Sequence, residues 1–180
     1  GGLGNEIAKH LTSKNDLQVF TKIGTGAMLD YKKVVTPEAV ATVDNIVAIN
    51  STFQIDATGQ ACSEAQGCNE YSGVGGSFAF LVGAPKANNG RSFLCLRSTF
   101  SDKNGVVHSN IHAVLPEGSV VTTPRFLVQY LVTEYGVADV YLKSVKDRIK
   151  AIIPIAHPDF REQLKEKVIA MGLIGKEDFE

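Results

Sequence analysis

The chain has 180 residues, 44% hydrophobic and 21% charged, with a formal net charge of −1. That length suffices for one domain with a substantial core, in the balance of an ordinary globular protein. It lacks the concentrated positive surface that nucleic-acid backbones require, and no apolar run is long enough to span a bilayer. Residues 1–5 do not have the basic start and apolar stretch of a signal peptide, so a cytoplasmic location is expected.

Leu3, Ile7 and Leu11 recur every four residues and predict a short amphipathic helix over 3–13, with Asn5 as its N-cap. Residues 17–23 (LQVFTKI) alternate and are rich in strand formers, until Gly24-Thr25-Gly26 breaks the pattern. Pro37 opens a short helix. Residues 46–55 (IVAINSTFQI) carry few charges and predict a strand covered on both faces. Asp56-Ala57-Thr58-Gly59 is a turn, after which residues 60–64 return as a second strand. Gly73-Val74-Gly75-Gly76 is a glycine-rich loop leading into Ser77–Val82, the start of a helix. Strands are predicted at 93–96, 111–115 and 120–122, the last two separated by Pro116-Glu117-Gly118. Pro124 begins a short helix ending near Gln129, and residues 131–134 form a buried strand. Ser144-Val145-Lys146-Asp147 is a capping box with Asp in place of Glu, and Pro158 suits a first helical turn. Phe160, Leu164 and Val168 then form an apolar stripe. Short strands alternating with helices give an α/β domain.

Cys62, Cys68 and Cys95 are odd in number and lack C-x-x-C spacing, so neither a disulfide framework nor a thiolate metal site is expected. His108 and His112 are four apart, but in turn and strand sequence that does not bring both rings to one helical face; no metal is expected. The glycine loop is the strongest local feature. Three glycines in four residues let a ligand approach the main chain and meet its N–H groups, which suits a pyrophosphate or a developing oxyanion. The competing reading is a plain tight turn. Thr133-Glu134-Tyr135 at the end of an apolar strand is a second candidate, because α/β sheets carry functional groups there. Glu134 orients a ligand on one reading, and pairs with Arg125 or caps a helix on the other. Lys86, Arg91, Arg97 and Arg125 are either phosphate ligands or solvated surface charges.

Taken in order, NIVAINSTFQIDATGQACSE, YSGVGGSFAFLVGA, RSFLCLRSTF, EGSVVTTPRFLVQYLVTEYGVADV and IAHPDFREQL resemble the C-terminal domain of the acetyl-CoA hydrolase / 4-hydroxybutyrate CoA-transferase family. VTEYGVA and AHPDFREQL are the runs least expected by chance. The likeness makes residues 1–180 one domain, with 1–45 matched more weakly.

The resemblance implies an α/β fold with an open, mostly parallel sheet flanked by helices, of the NagB/RpiA type, and a site shared with a similar N-terminal domain. Such enzymes attack an acyl-CoA with a glutamate, giving a mixed anhydride; CoA thiolate then forms a glutamyl-CoA thioester, which an acceptor carboxylate resolves. It further implies that Gly73, Val74, Gly75 and Gly76 lie along coenzyme A, with the amides of Gly75 and Gly76 as oxyanion donors. The expected partners are an acyl-CoA, a short-chain carboxylate, an N-terminal CoA-transferase domain or second subunit, and further copies of the chain in a homo-oligomer. Three positions depart from the family: Lys22 stands where the catalytic glutamate falls, Ala79 replaces an acidic residue after the loop, and Gln54 replaces a glutamate. No nucleophile is therefore assigned, and Glu64 and Glu134 are the next carboxylates to consider.

Overall fold

The computed structural model of the chain describes residues 19–20 and 36–179. The helix predicted over 3–13 and the position of Lys22 lie outside them. In chain order the strands are β1 (Val19–Phe20), β2 (Val47–Ser51), β3 (Gln54–Asp56), β4 (Ala61–Cys62), β5 (Ala65–Gln66), β6 (Asn69–Glu70), β7 (Arg91–Cys95), β8 (Thr99–Ser101), β9 (Val107–Ser109), β10 (Ile111–His112), β11 (Tyr130–Thr133) and β12 (Gly136–Asp139). The α-helices are α1 (Pro37–Ala41), α2 (Ser77–Gly83), α3 (Val145–Ile152) and α4 (Pro158–Ala170). Each helix starts where its sequence directs. The Thr36 hydroxyl accepts from the Ala39 amide ahead of Pro37, Ser144 accepts from the Asp147 amide, and Pro158 takes the first turn of α4.

The main sheet has the order β1-β2-β7-β11-β12. Its first four strands are parallel and β12 returns antiparallel from β11, so the sheet is open and mostly parallel. A smaller sheet, β10-β3-β4, stands beside it. The register puts Leu94, Leu131 and Ala138 on one face, where they join Ile149 and Ile152 of α3 and Leu164 and Val168 of α4 in one core. Ala48 shares that face through its neighbour Ser92 and packs with Phe80, Ala84 and Val40 in a second cluster. Burying a side chain the size of Ile149 contributes about 1.5–3 kcal/mol. On the opposite face Ile49, Phe93, Tyr130 and Val132 are only half-buried, and Val137 is exposed.

Gly83 lets α2 close on α1, since a Cβ there would lie 2.5 Å from the Pro37 carbonyl oxygen and 2.6 Å from Val40 Cβ. Among the described residues no helix is long and apolar enough to cross a membrane.

Two predicted strands differ. The run 46–55 divides at Thr52-Phe53, and its two halves enter different sheets. Thr52 makes the switch: its amide still donates to Cys95 O of the main sheet, while its hydroxyl donates to Cys62 O of the smaller one. Residues 120–122 form no strand. Val120 and Val121 are exposed, and only Thr123 bridges to Ala61. The short hairpins β5–β6 and β8–β9 and the return strand β12 had no sequence signal strong enough to predict them.

Candidate active site

Because β1, β2, β7 and β11 are parallel, their carboxyl ends share one edge, the position at which open α/β sheets bind ligands. Phe53 follows β2 there, Arg97 and Ser98 follow β7, and Glu134-Tyr135 makes the turn from β11 into β12.

The glycine loop reaches the same edge. Asn45, before β2, donates its amide to Asn88 O at 2.8 Å, tying the far end of the α2 segment to the amino end of the sheet. Helix α2 therefore runs back across the sheet from the carboxyl edge, and Gly73–Gly76 precede it. The neck of the loop is fixed: the amides of Tyr71 and Ser72 both donate to Glu64 O, at 2.7 and 3.2 Å. Beyond the neck, Gly73, Val74 and Gly75 are exposed, and Gly75 has φ +60°, in the left-handed region that favours glycine. Among the described residues no backbone or side-chain acceptor takes the amides of Gly73, Val74, Gly75 or Gly76; the Ser77 hydroxyl turns back to Val74 O. Tyr71 and Phe53 pack ring to ring, 5.8 Å apart and tilted by 56°.

Glu134 sits at the other end of the edge in a different condition. The Ser98 amide donates to both of its carboxylate oxygens, at 3.2 and 3.0 Å, and the Ser98 hydroxyl donates to Oε1. Partial burial works against the charge, but the Ser98 hydrogen bonds outweigh it, and His157 adds to them, so the carboxyl is held below its usual range. Neither a pair with Arg125 nor a helix cap is its role. The turn around it is locked as well. The Thr133 hydroxyl donates to Ile155 O at 2.6 Å and accepts from the Tyr135 amide at 3.1 Å. His157 meets Tyr135 edge to face, and the Arg161 guanidinium lies 5.6 Å from the Tyr135 ring centroid. The two runs least expected by chance, VTEYGVA and AHPDFREQL, thus pack on one another.

Glu64 Oε2 is buried with no partner among the described residues, so that oxygen is closed to a substrate; Asn50 Nδ2 is in the same condition. Gln54 is buried and donates to Ser119 Oγ at 2.9 Å, and Ala79 is buried in α2. Of the cations, Lys86 and Arg91 lie at the amino end of the sheet, away from the glycine loop; Arg97 is exposed at the carboxyl edge, and Arg125 is half-buried. Burial pushes the Cys95 thiol up to about 11, which suits a packing residue. Ser98 was not singled out by the sequence, where nothing separates it from other serines.

Residues 20–168 match the family model of the acetyl-CoA hydrolase/transferase C-terminal domain. The chain belongs to that family. A butyryl-CoA:acetate CoA-transferase from Anaerostipes caccae is 52% identical over 93 residues, which are 52% of this chain and 21% of that protein. The 4-hydroxybutyrate coenzyme A transferase of Clostridium kluyveri is 45% identical over 93 residues, again 52% and 21% of the two chains. The crystal structure of RipA from Yersinia pestis superposes with a TM-score of 0.69 at 38% identity, over 78% of this chain and 31% of that one. The match thus spans about a fifth of the length of these curated relatives.

Proposed function

We propose that this chain is the coenzyme A-handling domain of a CoA-transferase that moves CoA between short-chain carboxylic acids, of the acetate, butyrate or 4-hydroxybutyrate kind. The observation that carries the reading is the loop Gly73–Gly76, exposed at Gly73, Val74 and Gly75 and with amides unclaimed among the described residues, at the carboxyl edge of a mostly parallel sheet. Those amides line the thioester arm of CoA, and Gly75 and Gly76 donate to the oxygen that gains charge as the acyl group is attacked. The domain is of the NagB/RpiA type and acts in the cytoplasm. An N-terminal CoA-transferase domain or a second subunit completes the site, within a homo-oligomer. The carboxylate nucleophile is not drawn from Glu134, which Ser98 holds on both oxygens, nor from the buried oxygen of Glu64.

Lys22 favours a second reading, a catalytically degenerate CoA-binding module. An amine at that position forms a stable amide on acylation, not a labile anhydride. Acetyl-CoA hydrolysis is the outcome if water, not a carboxylate, reaches the acyl intermediate. Calorimetric titration of the chain with CoA and acetyl-CoA tests the binding. Saturable heat is expected, with little acyl exchange by the chain alone; no heat at millimolar ligand overturns both readings. A Lys22→Glu variant combined with an N-terminal domain separates them: restored exchange supports the transferase, and binding without exchange supports the degenerate module.

A further inference from the structure

We propose that Phe53 and Tyr71 form a wall that holds the pantetheine arm of coenzyme A beside the glycine loop, an inference that rests on the CoA-binding reading above. Both rings are large, apolar and open to solvent, Phe53 at 37% and Tyr71 at 64% exposure. Val74 and Phe78, on either side of Gly75-Gly76, are exposed too, so the apolar surface is continuous in sequence with the loop. Exposed apolar clusters of this kind mark contact surfaces, and Tyr in particular contributes large area at low entropic cost.

Position selects the portion of the ligand. Phe53 stands two residues beyond Ser51, at the carboxyl end of β2, where the thioester must be for the loop amides to polarise it. The part of CoA next to the thioester is the pantetheine arm, a flexible apolar chain with two amides. The adenine and its phosphates lie at the other end of the molecule. The ring geometry agrees. Two rings tilted by 56° present an angled wall, not the parallel slot into which a flat base slides. The backbone beneath both rings is fixed before any ligand arrives: the Tyr71 and Ser72 amides donate to Glu64 O, and Phe53 donates its amide to Cys62 O at 3.1 Å. Preorganisation of this sort reduces the entropy lost on binding.

The test titrates the full chain with CoA, with pantetheine and with the adenosine bisphosphate fragment of CoA, for wild type and for Tyr71→Ala, Phe53→Ala and Tyr71→Phe. The alanine variants should weaken CoA and pantetheine by about tenfold each, as loss of an aromatic anchor does. They should leave the nucleotide fragment unchanged, and Tyr71→Phe should bind as wild type. Thermal melts of each variant confirm that the fold is retained, as expected for exposed rings. If wild type binds CoA but both alanine variants bind it equally well, or if they weaken the nucleotide fragment equally, the wall is not a pantetheine site although the CoA reading stands. If wild type does not bind CoA at all, both fall together.

Discussion

Two loops share the carboxyl edge of the main sheet and have been built in opposite ways. The turn at Glu134-Tyr135 is exposed, but the protein itself claims its polar groups: Ser98 holds the carboxylate, Thr133 and Ile155 tie the turn to the start of α4, and His157 and Arg161 pack against Tyr135. The loop at Gly73–Gly76 is fixed at its neck and open beyond it. The first loop holds the edge in shape. The second has main-chain donors to offer a ligand. Rarity in sequence therefore did not single out the proposed ligand site: VTEYGVA and AHPDFREQL pack on each other.

The largest effect expected from this contrast is at Thr133. Thr133→Val removes a donor to Ile155 O and an acceptor for the Tyr135 amide in a buried place, and should cost about 2 kcal/mol of stability in urea unfolding. CoA affinity of the still-folded variant should be unchanged. A large loss of affinity with intact stability would mean that the locked turn is itself ligand surface.

Ser98→Ala comes next, at about 1 kcal/mol near neutral pH. The sign of its pH dependence follows from the lowered carboxyl of Glu134. A group whose folded pKa lies below the unfolded value stabilises above the unfolded pKa, and that contribution is lost as pH falls through the folded pKa. The penalty of Ser98→Ala should therefore shrink between pH 7 and strongly acidic solution. A penalty independent of pH would show that Ser98 does not act through Glu134.

Gly73→Ala should reverse the pattern. A Cβ at Gly73 meets nothing within 4 Å, so stability should stay within about 0.5 kcal/mol of wild type. CoA affinity should fall severalfold, because the added methyl stands where the ligand approaches. The smallest expected effect is in thiol reactivity. A thiol reagent should label exposed Cys68 in the native chain, and Cys62 and Cys95 only after unfolding, since both are buried and the Cys95 thiol is pushed up to about 11.

The strands β2, β7 and β11, the starts of helices α3 and α4, and the order loop–helix–strand around Ser77 are legible in the sequence, whereas the parallel arrangement comes from the family resemblance. Apolar runs, Pro158, Ser144 and the glycine cluster act locally, so one sequence is enough to read them. What escaped was long-range. The division of residues 46–55 depends on Thr52 bonding to two sheets, through partners 43 and 10 residues away. The Ser98–Glu134 pair joins residues 36 apart. Phe53 reads as strand interior in the sequence because nothing in INSTFQI marks where one sheet is exchanged for the other. Tyr71 precedes a motif whose glycines point to the backbone, and only the structure sets its ring beside Phe53.

Whether the open loop is where CoA lies can be read directly from backbone amide resonances during a CoA titration. The amides of Gly73, Val74, Gly75 and Gly76 should shift progressively and saturate, while those of Ser98, Glu134 and Tyr135 stay in place. Saturable shifts confined to the Glu134–Tyr135 turn, with the glycine amides unmoved, would contradict the account.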